Sequence, residues 1–244
     1  MKTIIALISF CTVVASCNSQ QNLTSKTAIK DTVYITGKSS ADGIGKFYKG
    51  REISFVMGAT GSDWLERDTR NIEENTNAAI AAIEVAPNAV IADIGAGTGY
   101  YSFRLAKKVP MGKVYAVDIQ DEMINILKTK KQQLKDSVVE VVKSTTQSPN
   151  LPANSVDVAI MVDVYHELEY PQEMLQALKK ALKPTGKILL IEYRGEDPSV
   201  PIKPLHKTTV AQLNKELKAN GFTLFYKRDF LPIQHFLLYE KEKL

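Results

Sequence analysis

The sequence predicts a doubly wound α/β domain, with helices on both faces of a mostly parallel, seven-stranded sheet that closes in an antiparallel C-terminal hairpin. Three observations predict it. From Thr60 onward helical periodicity alternates with short apolar runs, the pattern of strands covered on both faces by crossover helices. A glycine-rich turn joins the first of these strands to a helix, at the position where such sheets bind ligands. The last two strands are joined by a link too short for a crossover.

Met1-Lys2 precedes an apolar run, Thr3 to Ala15, of secretory length and too short to span a bilayer comfortably. The run ends Val14-Ala15-Ser16-Cys17, which resembles the lipobox of bacterial lipoproteins. That resemblance implies a signal peptide over residues 1–16, a lipidated Cys17 and an extracytoplasmic, membrane-anchored protein. Each buried CH₂ of an acyl chain contributes about 0.8 kcal/mol to such an anchor. Residues 17–45 are rich in Asn, Gln, Ser, Thr and Lys and read as a polar tether, in which only Val33-Tyr34-Ile35 favours a short strand. A lid or helical segment is expected over residues 46–74 and the main domain over 75–244.

Composition narrows the function. Both cysteines, Cys11 and Cys17, precede the folded body, so thiol chemistry is excluded there. Lys and Arg total 31 against 27 Asp and Glu, a net charge of +4 without a basic block; no nucleic-acid partner is expected.

The elements follow in order. Ser62 to Val85 is expected as a helix, then Ala89 to Ile94 as a strand and Tyr100 to Lys108 as a helix. After the Pro110-Met111-Gly112 turn come a strand at Lys113 to Asp118, a helix at Glu122 to Lys135 and a strand at Val138 to Val142. A strand at Val156 to Val162 and a helix at Pro171 to Leu182 follow. The Lys183-Pro184-Thr185-Gly186 turn then precedes a strand at Lys187 to Tyr193. Thr209 to Asn220 is the last helix, with Gly221 as its C-cap. Phe222 to Arg228 and His235 to Glu240 form the closing hairpin.

Asp93-Ile94-Gly95-Ala96-Gly97-Thr98-Gly99 lies at the first strand-to-helix junction. Its glycines let the main chain turn sharply and a ligand approach without a Cβ in the way. Asp118 closes the next strand, where a carboxylate can accept from both hydroxyls of a ribose. A dinucleotide fingerprint would need Gly at position 100, which is Tyr100, so a nicotinamide oxidoreductase is disfavoured. The G-x-G-x-G spacing resembles motif I of class I S-adenosylmethionine-dependent methyltransferases, whose fold is Rossmann-like, and the resemblance runs from about Asn75 to Glu240.

By that resemblance S-adenosylmethionine is the cofactor, a small molecule the acceptor and methyl transfer the reaction. Gly95, Ala96 and Gly97 would flank the methionine portion, with Gly99 in the same cofactor-binding turn; Asp93 would orient the loop and the amino group, Asp118 would hold the ribose and Ile119 would pack on adenine. The family's acidic residue after the third strand is missing; the segment reads Lys143-Ser144-Thr145-Thr146-Gln147, and Gln147 is the candidate acceptor for the adenine amino group. Asp163 occupies the place of a contact to the methionine amino group.

The acceptor is expected over the fourth strand's end, at Val162-Asp163-Val164-Tyr165-His166-Glu167-Leu168. His166 is the candidate general base, because imidazole takes a proton near neutral pH; Glu167 orients or replaces it, and Tyr165 belongs to the same segment. A structural role for His166 and Glu167 is the alternative. Asp163, His166 and Glu167 share one loop with no fourth candidate ligand, so no metal is expected. Tyr48 and Trp64 offer faces for a lid. Arg67 and Arg70 read as partners of Glu73 and Glu74, His206 as a pocket-mouth or surface residue, and His235 as a sheet-edge histidine. A second reading is a non-catalytic nucleoside-binding lipoprotein, a sensor or carrier that keeps the pocket without turnover.

Overall fold

The computed structural model describes residues 33–243; the signal peptide, Cys17 and most of the expected tether lie outside them. Ten strands and seven α-helices are found among the described residues. The main sheet contains β4 (Val90–Ile94), β5 (Lys113–Asp118), β6 (Val139–Lys143), β7 (Val156–Val162), β8 (Leu182–Tyr193), β9 (Phe222–Arg228) and β10 (Gln234–Lys241). Its order is β6-β5-β4-β7-β8-β10-β9. The first five strands pair in parallel, while β10 is antiparallel to both neighbours. This is the expected seven-stranded Rossmann-like architecture. The chain leaves β4 toward β5 on one side and returns to β7 on the other, so the strand order reverses beside β4, the place where such sheets open a crevice.

Alternate residues of each central strand enter opposite cores, as the two-residue period of a pleat requires. Ile91, Val114, Ala116, Ile160 and Ile191 pack beneath α3 (Thr76–Ala82), α4 (Ser102–Ala106) and α5 (Asp121–Leu134). Ala92, Ile94, Val117, Met161 and Leu190 face α6 (Pro171–Ala181) and α7 (Val210–Lys218). Thr209 caps α7 by accepting from Gln212 N at 3.1 Å. β8 starts earlier than expected, at Leu182, and takes in the Lys183–Gly186 segment, with a register shift against β7 between Val156 and Val158.

The N-terminal expectation is corrected in two places. The tether ends before Tyr34, because β1 (Tyr34–Thr36), β2 (Gly43–Tyr48) and β3 (Arg51–Ser54) form a three-stranded antiparallel sheet. β1 falls on the short strand expected at Val33-Tyr34-Ile35, whereas β2 and β3 straddle the expected boundary between tether and lid segment. Tyr34 lies against the rings of Tyr48 and Tyr170 and its hydroxyl bonds Glu173, while the Glu52 carboxylate accepts from Ser40 N and Gly45 N. The helix expected over Ser62–Val85 is three pieces, α1 (Ser62–Leu65), α2 (Arg70–Glu74) and α3. Asn75, at φ +53°, interrupts it in the left-handed region, and Asn71 Oδ1 accepts from Thr76 Oγ1 and Asn77 N beside the break.

Candidate active site

A cavity of about 630 Å³ opens over the carboxyl ends of β4, β5, β7 and β8. On its β4–β5 side the main chain sets the geometry. Gly95 has φ +69°, and a Cβ there would come 2.6 Å from the Val164 methyls; only glycine turns the chain this way without collision. The turn aims Gly97 N at Asp118 Oδ2, 2.9 Å away, while Asp118 Oδ1 accepts from Gln120 N at 2.9 Å. Burial pushes the Asp118 carboxyl up, against the lowering pull of these main-chain donors. Asp118, Ile119, Gly95 and Gly97 all line the cavity.

Three residues expected at the cofactor do not line this cavity. The Asp93 side chain accepts from Ser102 Oγ at 2.6 Å, pinning the start of α4 to β4, and burial raises its carboxyl to about 6. Gly99 is a packing glycine: a Cβ would strike Phe103 and Leu127. Ala96 is buried in the core and its N–H extends the ladder to Val117 O. Gln147 is corrected as well. Thr145 Oγ1 accepts from the N–H groups of Gln147 and Ser148, a tight turn that leaves Gln147 exposed. Ser144, Thr145 and Thr146 line the wall in its place.

Asp163 follows β7 with φ +53°, an unusual conformation for a residue other than glycine. Its Oδ2 accepts from Gln234 Nε2 at 2.7 Å, and its Oδ1 is buried without a partner. Desolvation first, then the charges of Glu74 and Glu192, raise its carboxyl well above the usual range. Arg70 lines the cavity too, held by Glu74 at 2.9 Å; Arg67 reaches Glu73 and Glu74, so both arginines have the expected ion-pair roles.

The β7–β8 side is built from side chains. His166, 1% exposed, lies on the short 3₁₀ turn Tyr165–Glu167. Its Nδ1–H donates to Glu192 Oε2 at 2.6 Å, and Glu192 Oε1 accepts from Val164 N and Tyr165 N. The carboxylate therefore fixes both the imidazole and the turn that carries it. Glu192 was missed by sequence reasoning, though a lone acid within Ile188-Leu189-Leu190-Ile191 and Tyr193 was a readable signal. On the other flank His166 Nε2 is 3.2 Å from His206 Nδ1, and Glu167 Oε1 accepts from Met57 N at 3.1 Å. His206, expected at the mouth or the surface, thus joins His166 and Glu167, while Asp163 turns away to Gln234.

Tyr165 is corrected: it is fully buried, its hydroxyl donates to Glu216 Oε2 at 2.8 Å, and it does not line the cavity. Glu216 also takes both arms of Arg51, at 2.8 and 2.9 Å, and Arg51 Nη1 donates to the His166 carbonyl at 3.0 Å. His235 donates to or accepts from nothing in the cavity; its Nε2 meets Glu196 at 2.8 Å. Phe55, Val56, Met57, Trp64 and Leu65 close the outer wall, and Trp64 is stacked under Arg67 at 3.9 Å.

These residues fit S-adenosylmethionine. The partnerless Asp163 Oδ1 offers a buried acceptor for a cationic amino group, and the glycine bend with Asp118 forms a polar cradle beside apolar Ile119 and Met123. A family profile described as Methyltransferase domain matches residues 92–190. The mitochondrial 2-methoxy-6-polyprenyl-1,4-benzoquinol methylase of Caenorhabditis elegans is 24% identical over 130 residues, 52% of this chain and 45% of that protein. A demethylmenaquinone methyltransferase of Lactococcus lactis is 30% identical over 116 residues, 46% and 44% respectively. The chain spans less than half the length of either. The crystal structure of a SAM-dependent methyltransferase from Aquifex aeolicus superposes with a TM-score of 0.71 at 25% identity, covering 75% of this chain and 98% of that one. Fold, glycine bend and profile agree: residues 92–190 resemble a methyltransferase domain, set in a Rossmann-like sheet similar to that of a SAM-dependent methyltransferase.

Proposed function

We propose that this protein methylates an apolar small molecule bearing an ionisable hydroxyl, at a membrane face to which a lipidated Cys17 holds it. S-adenosylmethionine supplies an electrophilic methyl group on a sulfonium. The observation that carries the reading is that one cavity joins Gly95, Gly97 and Asp118 to His166 and Glu167, so a cofactor and an acceptor can share it. Transfer of this kind depends chiefly on alignment and on keeping water out. Asp118 and Asp163 would hold the polar ends of the cofactor, Met57, Trp64 and Leu65 would cover it, and the His166 ring nitrogen on the cavity side would take the acceptor's proton. Apolar Phe55, Val56 and Ile202 suit an apolar acceptor, and two relatives carry quinone-type acceptors in their names.

Methyl-labelled S-adenosylmethionine incubated with the full-length protein and a set of quinols and phenols is expected to give a labelled product. Calorimetry with S-adenosylhomocysteine is expected to show saturable binding that Gly95→Arg abolishes. No binding to the wild type, or equal binding by a folded Gly95→Arg variant, overturns the reading. For the anchor, Cys17→Ser is expected to move the protein from the membrane to the soluble fraction; unchanged membrane retention would sink that part alone.

A further inference from the structure

We infer that His166, Glu167 and His206 form a binding site for one divalent transition-metal cation, with zinc as the best match, in the wall of the cavity where the acceptor is proposed to lie. The site rests on the proposed function only for its use; the cation binding stands on its own geometry.

The three ligand atoms converge. His166 Nε2 and His206 Nδ1 are 3.2 Å apart, His166 Nε2 and Glu167 Oε1 3.8 Å, and His206 Nδ1 and Glu167 Oε1 3.6 Å. The two longer edges exceed hydrogen-bond length, so hydrogen bonding accounts for one side of the triangle and leaves two unexplained. A point at the centre of a triangle with these edges lies about 2 Å from each atom, the length of a zinc–nitrogen or zinc–oxygen bond.

The support around the triangle is that of a metal centre. Glu192 takes the Nδ1 proton of His166 at 2.6 Å, which leaves Nε2 with its lone pair toward the cluster; carboxylates orient metal-binding imidazoles in this way. Met57 N holds Glu167 Oε1, and the His166 carbonyl is fixed by Arg51 and Ser54. His166 and Glu167 are largely enclosed, with side chains 2% and 13% exposed, and His206 at 21% leaves one approach. Two imidazoles and one carboxylate favour zinc-type cations over magnesium, which prefers oxygen. All three residues line the cavity, so a fourth position is open to a ligand from it. A hydroxyl bound there loses its proton more readily because the cation stabilises the oxyanion, which would relieve His166 of acting as base.

The test uses the full-length protein, stripped with chelator and titrated with zinc chloride at neutral pH. One zinc per chain is expected, with His206→Ala weakening binding at least about 100-fold and Glu192→Gln about 10- to 100-fold. Cys11 and Cys17 are present in all these proteins, so the differences report the cluster. Magnesium is expected to leave no calorimetric signal. Binding of S-adenosylhomocysteine by His206→Ala, equal to the wild type, shows that variant to be folded and checks the cofactor reading separately. No zinc uptake by the wild type, or unchanged affinity in a folded His206→Ala, overturns the metal site whatever the cofactor result.

Discussion

On the β4–β5 side of the cavity, the polar cradle comes from one stretch of chain, Gly95 to Gln120, and the decisive contact is a main-chain N–H on a carboxylate, Gly97 to Asp118 at 2.9 Å. On the β7–β8 side, His166 meets Glu192 and His206 from 26 and 40 residues away, and its carbonyl is held by Arg51 from 115 residues away. The first side is a property of local backbone shape; the second exists only when β3, β8 and the Pro204–His206 turn are all in place. Local shape survives distant mutation, whereas an assembled wall inherits the stability of each strut. The two sides should therefore break differently.

The heaviest strut is the Arg51–Glu216 pair, whose side chains are 9% and 0% exposed. Arg51→Ala leaves a buried carboxylate with Tyr165 and Gln212 as its remaining partners among the described residues, and removing one member of a buried pair costs about 3–5 kcal/mol. Urea denaturation is expected to show a loss of that size. The joint replacement Arg51→Met with Glu216→Leu is expected to regain most of it, because neither charge then needs solvating. S-adenosylhomocysteine affinity of the folded fraction should change little, since the glycine bend does not touch the pair. A loss below about 1 kcal/mol, or a matching collapse of cofactor affinity, would erase the distinction between the two sides.

The same distinction explains what the sequence made legible. The glycine turn and Asp118, which line the cavity, stand out because their spacing is fixed within one strand–turn–helix–strand unit; Asp93 shares that motif but bonds Ser102 away from the cavity. The alternation of strands and helices gave the sheet for a related reason: period and turn residues are local. Glu192 was overlooked because its meaning depends on β8 lying beside β7, and His206 because a 3₁₀ turn far along the chain returns it to the cavity. Gln147 was assigned by position after β6, but the hydroxyl of Thr145 closes a turn that directs it outward. Tyr165 was counted with its neighbours His166 and Glu167, although successive residues on a short turn point in different directions. The short strand at Tyr34 was legible, but β2 and β3 were not, because Gly43, Gly45, Lys46 and the Lys49-Gly50 turn break up the apolar run Ile44, Phe47 and Tyr48.

Asp93 offers the smaller test, on the locally built side. Its carboxyl is raised to about 6, chiefly by burial, with Ser102 opposing and the Asp118 charge adding to the rise. Because the folded protein holds this proton more tightly than the unfolded chain, whose carboxyl titrates near the ordinary 3.8 of an aspartate, the contribution to stability is fully present below about pH 4. It is lost as pH rises through about 6, up to about 3 kcal/mol in all. Asp93→Asn keeps an oxygen for Ser102 Oγ and has no proton to release. The difference in urea midpoint between pH 4 and pH 7 is thus expected to shift toward the high-pH side in the variant relative to wild type. If the two proteins show the same pH dependence across that window, the Asp93 carboxyl is not titrating in the buried place between β4 and α4, and the cofactor-side wall owes its rigidity to the glycine bend alone.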